Sequence, residues 1–154
     1  MSQVEALIEE SIDVDATPER VWSLVTDLPR MARWSPQVVR TVVRGGGPVQ
    51  LGTRAVNVNR KGLLVWPTRS KVVRFEPHRD FAFRIKDNFT IWSFTLEATG
   101  AGTRVVQRRE APDGTSPISD TLVRRVLGGQ EGFQAELRAG MQRTLRGIKA
   151  DAEA

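Results

Sequence analysis

The sequence has 154 residues, 40 % hydrophobic and 27 % charged, a balance that excludes a disordered chain and suits one domain over residues 1–154. It contains no cysteine, which excludes disulfides, thiolate nucleophiles and cysteine-held zinc. Nineteen arginines and four lysines against 18 acidic residues leave a net charge of +5, which a solvated basic surface or a GC-rich bacterial genome explains more simply than an anionic partner.

Val4 to Asp15 reads as an extended segment, because Ile8, Ile12 and Val14 share one parity. Glu10 falls on that same parity, either at an irregular strand start or turned toward an interior site. Thr17-Pro18-Glu19 signals a helix start, since Thr accepts from orphan amides and Pro needs no donor in the first turn. Val21, Trp22, Val25 and Leu28 form the apolar stripe of that short helix, and Pro29 either ends it or opens a second turn carrying Met31 and Trp34.

From Gln37 the period changes to two. Val38–Arg44, Thr53–Arg60, Leu63–Phe75, Phe81–Lys86, Phe89–Ala98 and Thr103–Ala111 read as strands separated by short turns. Connections this short exclude crossover helices and predict antiparallel neighbours. Phe81, Phe83 and Ile85, then Trp92, Phe94 and Leu96, mark the covered face of two successive strands. Asn57 and Asn59 oppose Val56 and Val58 and are expected to face solvent.

Beyond Pro112-Asp113-Gly114 the period becomes helical from Ser119 to Ala150, with Leu122, Val126, Phe133, Leu137, Met141, Leu145 and Ile148 near one stripe. Gly128, Gly129 and Gly132 predict a kink or break near residue 128. One apolar helix face and one sheet face bury each other, so the expected class is α+β. A curved antiparallel sheet of six or seven strands should wrap a long C-terminal helix, with two short helices after the first strand.

This order and its local signatures resemble the START-related helix-grip superfamily (SRPBCC), and within it the polyketide cyclase/dehydrase-like group. The resemblance is carried by Ile12-Asp13-Val14-Asp15-Ala16-Thr17-Pro18-Glu19-Arg20-Val21-Trp22, Asp27, Trp34-Ser35-Pro36, Val72 to Pro77, and Leu145 to Ala150. It covers nearly the whole chain. It implies a helix-grip fold and a cavity for a hydrophobic or aromatic small molecule between sheet and helix.

Residues expected to line such a cavity are Trp66, Phe81, Phe83, Trp92, Phe94 and Leu96 from the sheet, and Phe133, Leu137 and Met141 from the helix. Each has plain core packing as its alternative. The glycines at 128, 129 and 132 would withdraw volume where helix crosses sheet, or form only a loop. Gln107 and Arg109 follow Val105 on one parity and are expected to point inward. A buried Arg requires a partner, and Glu10 is the nearest candidate by face; the pair would be a structural ion pair or the polar end of a ligand pocket, with a solvent-exposed position as the alternative.

Other chemistry is thin. His78 is the single histidine, in the turn Glu76-Pro77-His78-Arg79, and Tyr is absent. Asp27 and Asp120 read as helix caps, and Gly45-Gly46-Gly47 precedes Pro48 as a turn rather than a phosphate loop. No metal and no cofactor are expected. The longest uncharged apolar stretch, Gly62 to Thr68, is far shorter than the roughly 20 residues of a membrane span. The opening Met1-Ser2-Gln3-Val4-Glu5 lacks signal-peptide features, so a cytoplasmic location is the expectation.

Three functions are therefore weighed. Binding of an apolar or aromatic small molecule leads. A cyclase or dehydratase using Glu10, Gln107 and Arg109 on a carbonyl oxygen comes second. A nucleic-acid or ribosome-associated module resting on Arg40, Arg44, Arg69, Lys71, Arg74, Arg124, Arg125, Arg143 and Arg146 is third, because no aromatics interleave with these residues as stacking platforms.

Overall fold

The computed structural model describes residues 5–112, 114–125 and 129–154, and its elements follow the order read above. β1 (Leu7–Val14) is followed by α1 (Pro18–Val25), a 3-10 turn (Leu28–Arg30) and α2 (Met31–Trp34). Then come β2 (Val38–Val43), β3 (Arg54–Lys61), β4 (Leu64–Glu76), β5 (Asp80–Ile85), β6 (Ile91–Ala98) and β7 (Thr103–Glu110). The chain closes with α3 (Pro117–Arg125) and α4 (Gly129–Glu153).

Local chemistry explains the boundaries. The Thr17 hydroxyl accepts from the Arg20 backbone N–H at 3.2 Å, and Pro18 opens α1. Ser116 Oγ plays the same part for α3, accepting from the Ser119 N–H at 3.2 Å. Asp120, expected as a cap, instead accepts from the Thr115 hydroxyl inside the first turn. Asp27 stands before the 3-10 turn, but its carboxylate takes the Arg30 guanidinium rather than a backbone amide. The interruption expected at Gly128 lies outside the described residues; α3 ends at Arg125, and α4 begins at Gly129 with φ at +83°.

The strands form one antiparallel sheet in the order β1-β7-β6-β5-β4-β3-β2. Tight connections pair β2 through β7 in sequence, whereas β1 pairs with β7, so α1 and α2 carry the chain from one sheet edge to the other. Register shifts at Val38/Arg40 and Val72/Arg74 bend the strands they interrupt, which helps the sheet curve. α4 packs on β1 and β7, with α1, α2 and α3 against its other sides. It therefore packs on the β1–β7 side of the concave face and stands off from β3 and β4.

The packed interior divides accordingly. The larger part joins α1 and the C-terminal half of α4 to Val14, Val72, Phe81, Phe94, Leu96 and Val105. Trp22 meets Phe75 and Phe81 edge to face, with ring centroids 5.2 and 6.1 Å apart. Each such side chain, fully buried, contributes about 1.5–3 kcal/mol. The smaller part gathers Ile8, Leu137 and Met141, with Trp92 and Phe133 against them.

α2 is held tightly to α4. A Cβ on Gly147 would lie 2.7 Å from Trp34 Cδ1, so only glycine admits the indole there. The indole Nε1–H then donates to Asp151 Oδ2 at 2.7 Å. Gly132, by contrast, is exposed and a Cβ there would meet nothing within 4 Å, so it withdraws no volume from a helix–sheet crossing.

Candidate functional site

Where α4 leaves the sheet uncovered, a cavity of about 550 Å³ opens between the inner faces of β3 to β7 and the helices α2, α3 and α4. Trp66, Phe83 and Trp92 from the sheet and Phe133, Leu137 and Met141 from α4 line it, as their parity predicts. Phe81, Phe94 and Leu96 do not. They are 0 %, 1 % and 5 % exposed inside the larger core, under Trp22.

The division is one pleat wide. Phe81 pairs with Phe94 across β5 and β6, and the next inward pair, Phe83 and Trp92, stands two residues farther along. That step is about 7 Å along the strand. On one side of it α1 fills the space, and on the other the cavity begins.

The floor is polar, which the sequence reading had reversed. Asn57 and Asn59 are buried on the inner face, while Val56 and Val58 take the outer one. Thr41 Oγ1 donates to Asn57 Oδ1 at 2.9 Å, and Asn59 Nδ2 donates to Thr68 Oγ1 at 3.0 Å and to the Trp66 carbonyl at 3.2 Å. The helices face this surface only across the cavity, so the side chains there satisfy one another instead of packing against an apolar lid. A signal was present: Asn57 and Thr68 are cross-strand partners, and Asn59, Ser70 and Thr41 share their face.

The deep end is formed by β7. Gln107 and Arg109 point inward as expected, 4 % and 3 % exposed, and both line the cavity. The expected Glu10–Arg109 pair does not form. Glu10 stands opposite Gln107 in the β1–β7 register, but α4 lies directly on β1, and Gln142 Nε2 donates to Glu10 Oε1 at 3.2 Å on the outside. Arg109 Nη2 donates instead to Gln134 Oε1 at 3.2 Å and to the Glu5 carbonyl at 3.3 Å. Gln134, which sequence reasoning missed, also accepts from the Glu5 N–H at 2.7 Å and so ties α4 to the start of β1.

Two buried atoms at this end have no partner among the described residues, Gln107 Oε1 and Arg109 Nε. Burial holds the Arg109 guanidinium below its ordinary pKa; the nearby Glu5 carboxylate pushes the other way and Arg138 pushes it down further. Glu5 itself is taken by Arg138.

At the mouth, Lys61 Nζ at the tip of β3 meets Glu136 Oε1 of α4 at 2.9 Å, joining the two sides of the opening. His78 is exposed in the β4–β5 turn with φ at +66°, away from the cavity. Among the described residues no group of His, Asp and Glu is placed to hold a metal ion, and no helix is long and apolar enough to cross a membrane. Arg69 and Arg74 are engaged by Asp87 and Asp80 on strand β4, whereas Arg143 and Arg146 belong to α4. These basic residues do not make one face.

The sequence profile of the family described as polyketide cyclase / dehydrase and lipid transport matches residues 5–153. The chain belongs to this family. No curated protein sequence matches it. The structure of the di-domain ARO/CYC StfQ from the steffimycin biosynthetic pathway superposes with a TM-score of 0.76 at 17 % identity, over 96 % of this chain and 50 % of that one. The chain thus spans half the length of StfQ. The Zhui aromatase/cyclase from a Streptomyces species gives 0.69 at 18 % identity, over 96 % and 93 % of the two chains. At such identities these two likenesses show the helix-grip fold alone. The Polyketide_cyc-like protein Cgl2372 from Corynebacterium glutamicum is 25 % identical, with a TM-score of 0.60 over 94 % and 89 %.

Proposed function

We propose that this family member binds a hydrophobic or aromatic small molecule in the cavity between the sheet and α4. The observation that carries the reading is a space of about 550 Å³ walled by Trp66, Phe83, Trp92 and Phe133 and left unfilled by the protein's own side chains. Small-molecule pockets fall in this size range and share this mixture of apolar walls with a few polar groups. Titration with the neutral dye N-phenyl-1-naphthylamine tests it. Saturable fluorescence at one site per chain is expected, and Leu137→Arg, which puts a charge against the apolar wall, should abolish it. Absence of saturable dye binding, together with no bound species in native mass spectrometry, would overturn the reading.

A second reading is a cyclase or dehydratase acting on a polyketide-like substrate. It is favoured by the family match and by the likeness to Zhui and StfQ. In this reading Arg109 and Gln107 orient a carbonyl oxygen and Arg109 polarises it, while Glu10, outside the cavity, takes no part. Mass spectrometry of a poly-β-ketone before and after incubation separates the two: a binder returns its guest unchanged, and a cyclase returns it minus water.

A further inference from the structure

We infer that the guest is an acid, held with its apolar rings against the aromatic wall and its carboxylate on Arg109. This rests on the binding reading above and adds the chemistry of the ligand's buried end.

Arg109 is 3 % exposed, and among the described residues no carboxylate stands within ion-pair distance of it. Its recorded acceptors are neutral, the Gln134 amide oxygen and the Glu5 carbonyl. The one acid whose field reaches it, Glu5, is itself committed to Arg138. A cation buried without a counter-charge is strongly unfavourable unless something supplies one.

The sequence offered an internal candidate in Glu10, which shares the face of Gln107 but lies outside the cavity lining, where α4 covers it and Gln142 bonds it. Internal neutralisation is thereby withheld at the one place where the guanidinium borders the cavity. The geometry of the free donor agrees. Arg109 Nε has no acceptor although it is buried, while Nη2 is tied back to the protein. The two bonds from Nη2 fix the orientation of the guanidinium, and its Nε–H is left without a protein acceptor. Gln107, two residues earlier on the same face of β7, has an unpaired Oε1 that suits a hydroxyl on the same guest. Ile8 and Trp92 flank Arg109 across the two adjoining strands, so an anion arriving there leaves water and gains a charge-assisted hydrogen bond in an apolar setting.

The test uses a matched pair of competitors against bound N-phenyl-1-naphthylamine: 2-naphthoic acid, and 2-acetonaphthone, which keeps the rings and the carbonyl but not the charge. In the wild-type protein at neutral pH the acid should displace the dye at a concentration about tenfold lower than the ketone. Arg109→Gln should erase that preference, so that the acid and the ketone displace the dye at the same concentration. Should this variant fail to fold, salt decides instead. Exposed basic residues at the mouth are screened between about 0.1 and 1 M salt, whereas a buried guanidinium is not, so the preference should persist. Equal displacement by acid and ketone overturns the inference and leaves the cavity reading intact. A preference that vanishes in high salt overturns it as well. Acetate displacing the dye as well as naphthoate would mark a site for small anions and overturn the claim of an aromatic acid. Failure of the dye itself to bind is the separate result that removes the cavity reading.

Discussion

Two glycines on one helix make opposite predictions. Replacing Gly by Ala inside a helix ordinarily stabilises by about 0.5–1 kcal/mol. At Gly132 the new methyl meets nothing within 4 Å, so Gly132→Ala should show this gain, raising the melting temperature by roughly 1–4 °C. At Gly147 the methyl would lie 2.7 Å from Trp34 Cδ1, 3.1 Å from Cγ and 3.2 Å from Cβ, so the whole indole must retreat. Overpacking of this kind costs about 1–3 kcal/mol. Retreat also strains the bond from Trp34 Nε1 to the Asp151 carboxylate, and a hydrogen bond to a charged group is worth about 1.5–3 kcal/mol. Set against the propensity gain, Gly147→Ala should be destabilised by about 2 kcal/mol, a fall of roughly 4–8 °C. Thermal unfolding followed by far-UV circular dichroism reads both. Because Met31, Ser35 and Pro36 line the cavity beside Trp34, dye affinity should weaken in Gly147→Ala and hold in Gly132→Ala. If Gly147→Ala melts above the wild type, the close seating of α2 on α4 is wrong.

Further outcomes follow from the polar end and the surface. Gln107→Met, close in shape and without the orphan oxygen, should stabilise the empty protein by about 1–3 kcal/mol in a thermal melt, with affinity for a hydroxylated aromatic acid reduced. Glu136→Gln should change stability by less than about 1 kcal/mol, because both members of its pair with Lys61 are substantially exposed; stopped-flow dilution should show the dye leaving faster once the mouth is unbridged. The Asp151 carboxyl is held below its ordinary value, first by the Trp34 N–H, against an opposing effect of burial, and then by Arg33. A carboxyl depressed on folding stabilises above its unfolded pKa of about 3.9 and loses that contribution as pH falls through the folded value. Melting curves of wild type and Asp151→Asn should therefore differ most near neutral pH and converge in acid. Asp87 and Glu153 are shifted the same way, so the variant's own curve should still slope.

Local pattern was sufficient for the elements. A period of two over Phe81 to Ile85 and Trp92 to Leu96 and the Thr17-Pro18 start each reflect interactions within a few residues, and those are written along the chain. The expectation for Phe83 and Trp92 came from strand parity and that for Phe133, Leu137 and Met141 from helical period, both of which report which face a side chain takes. Parity does not report how far along the strand the covering helix extends. Phe81 and Phe83 therefore look alike in sequence, yet one supports Trp22 and the other borders open space.

What tertiary structure alone decided is the lateral position of α4. Seated on β1 and β7, it faces β3 only across the cavity, where Asn57 and Asn59 turn inward against the pattern of their valines. The same placement draws Glu10 to Gln142 and brings Gln134 to Arg109, pairings that join residues 132 and 25 positions apart. The sequence by itself determined that a helix and a curved sheet must cover each other, because apolar periodicity demands burial. Which part of the sheet stays uncovered depends on contacts summed over several elements at once, and no local window of residues contains that sum.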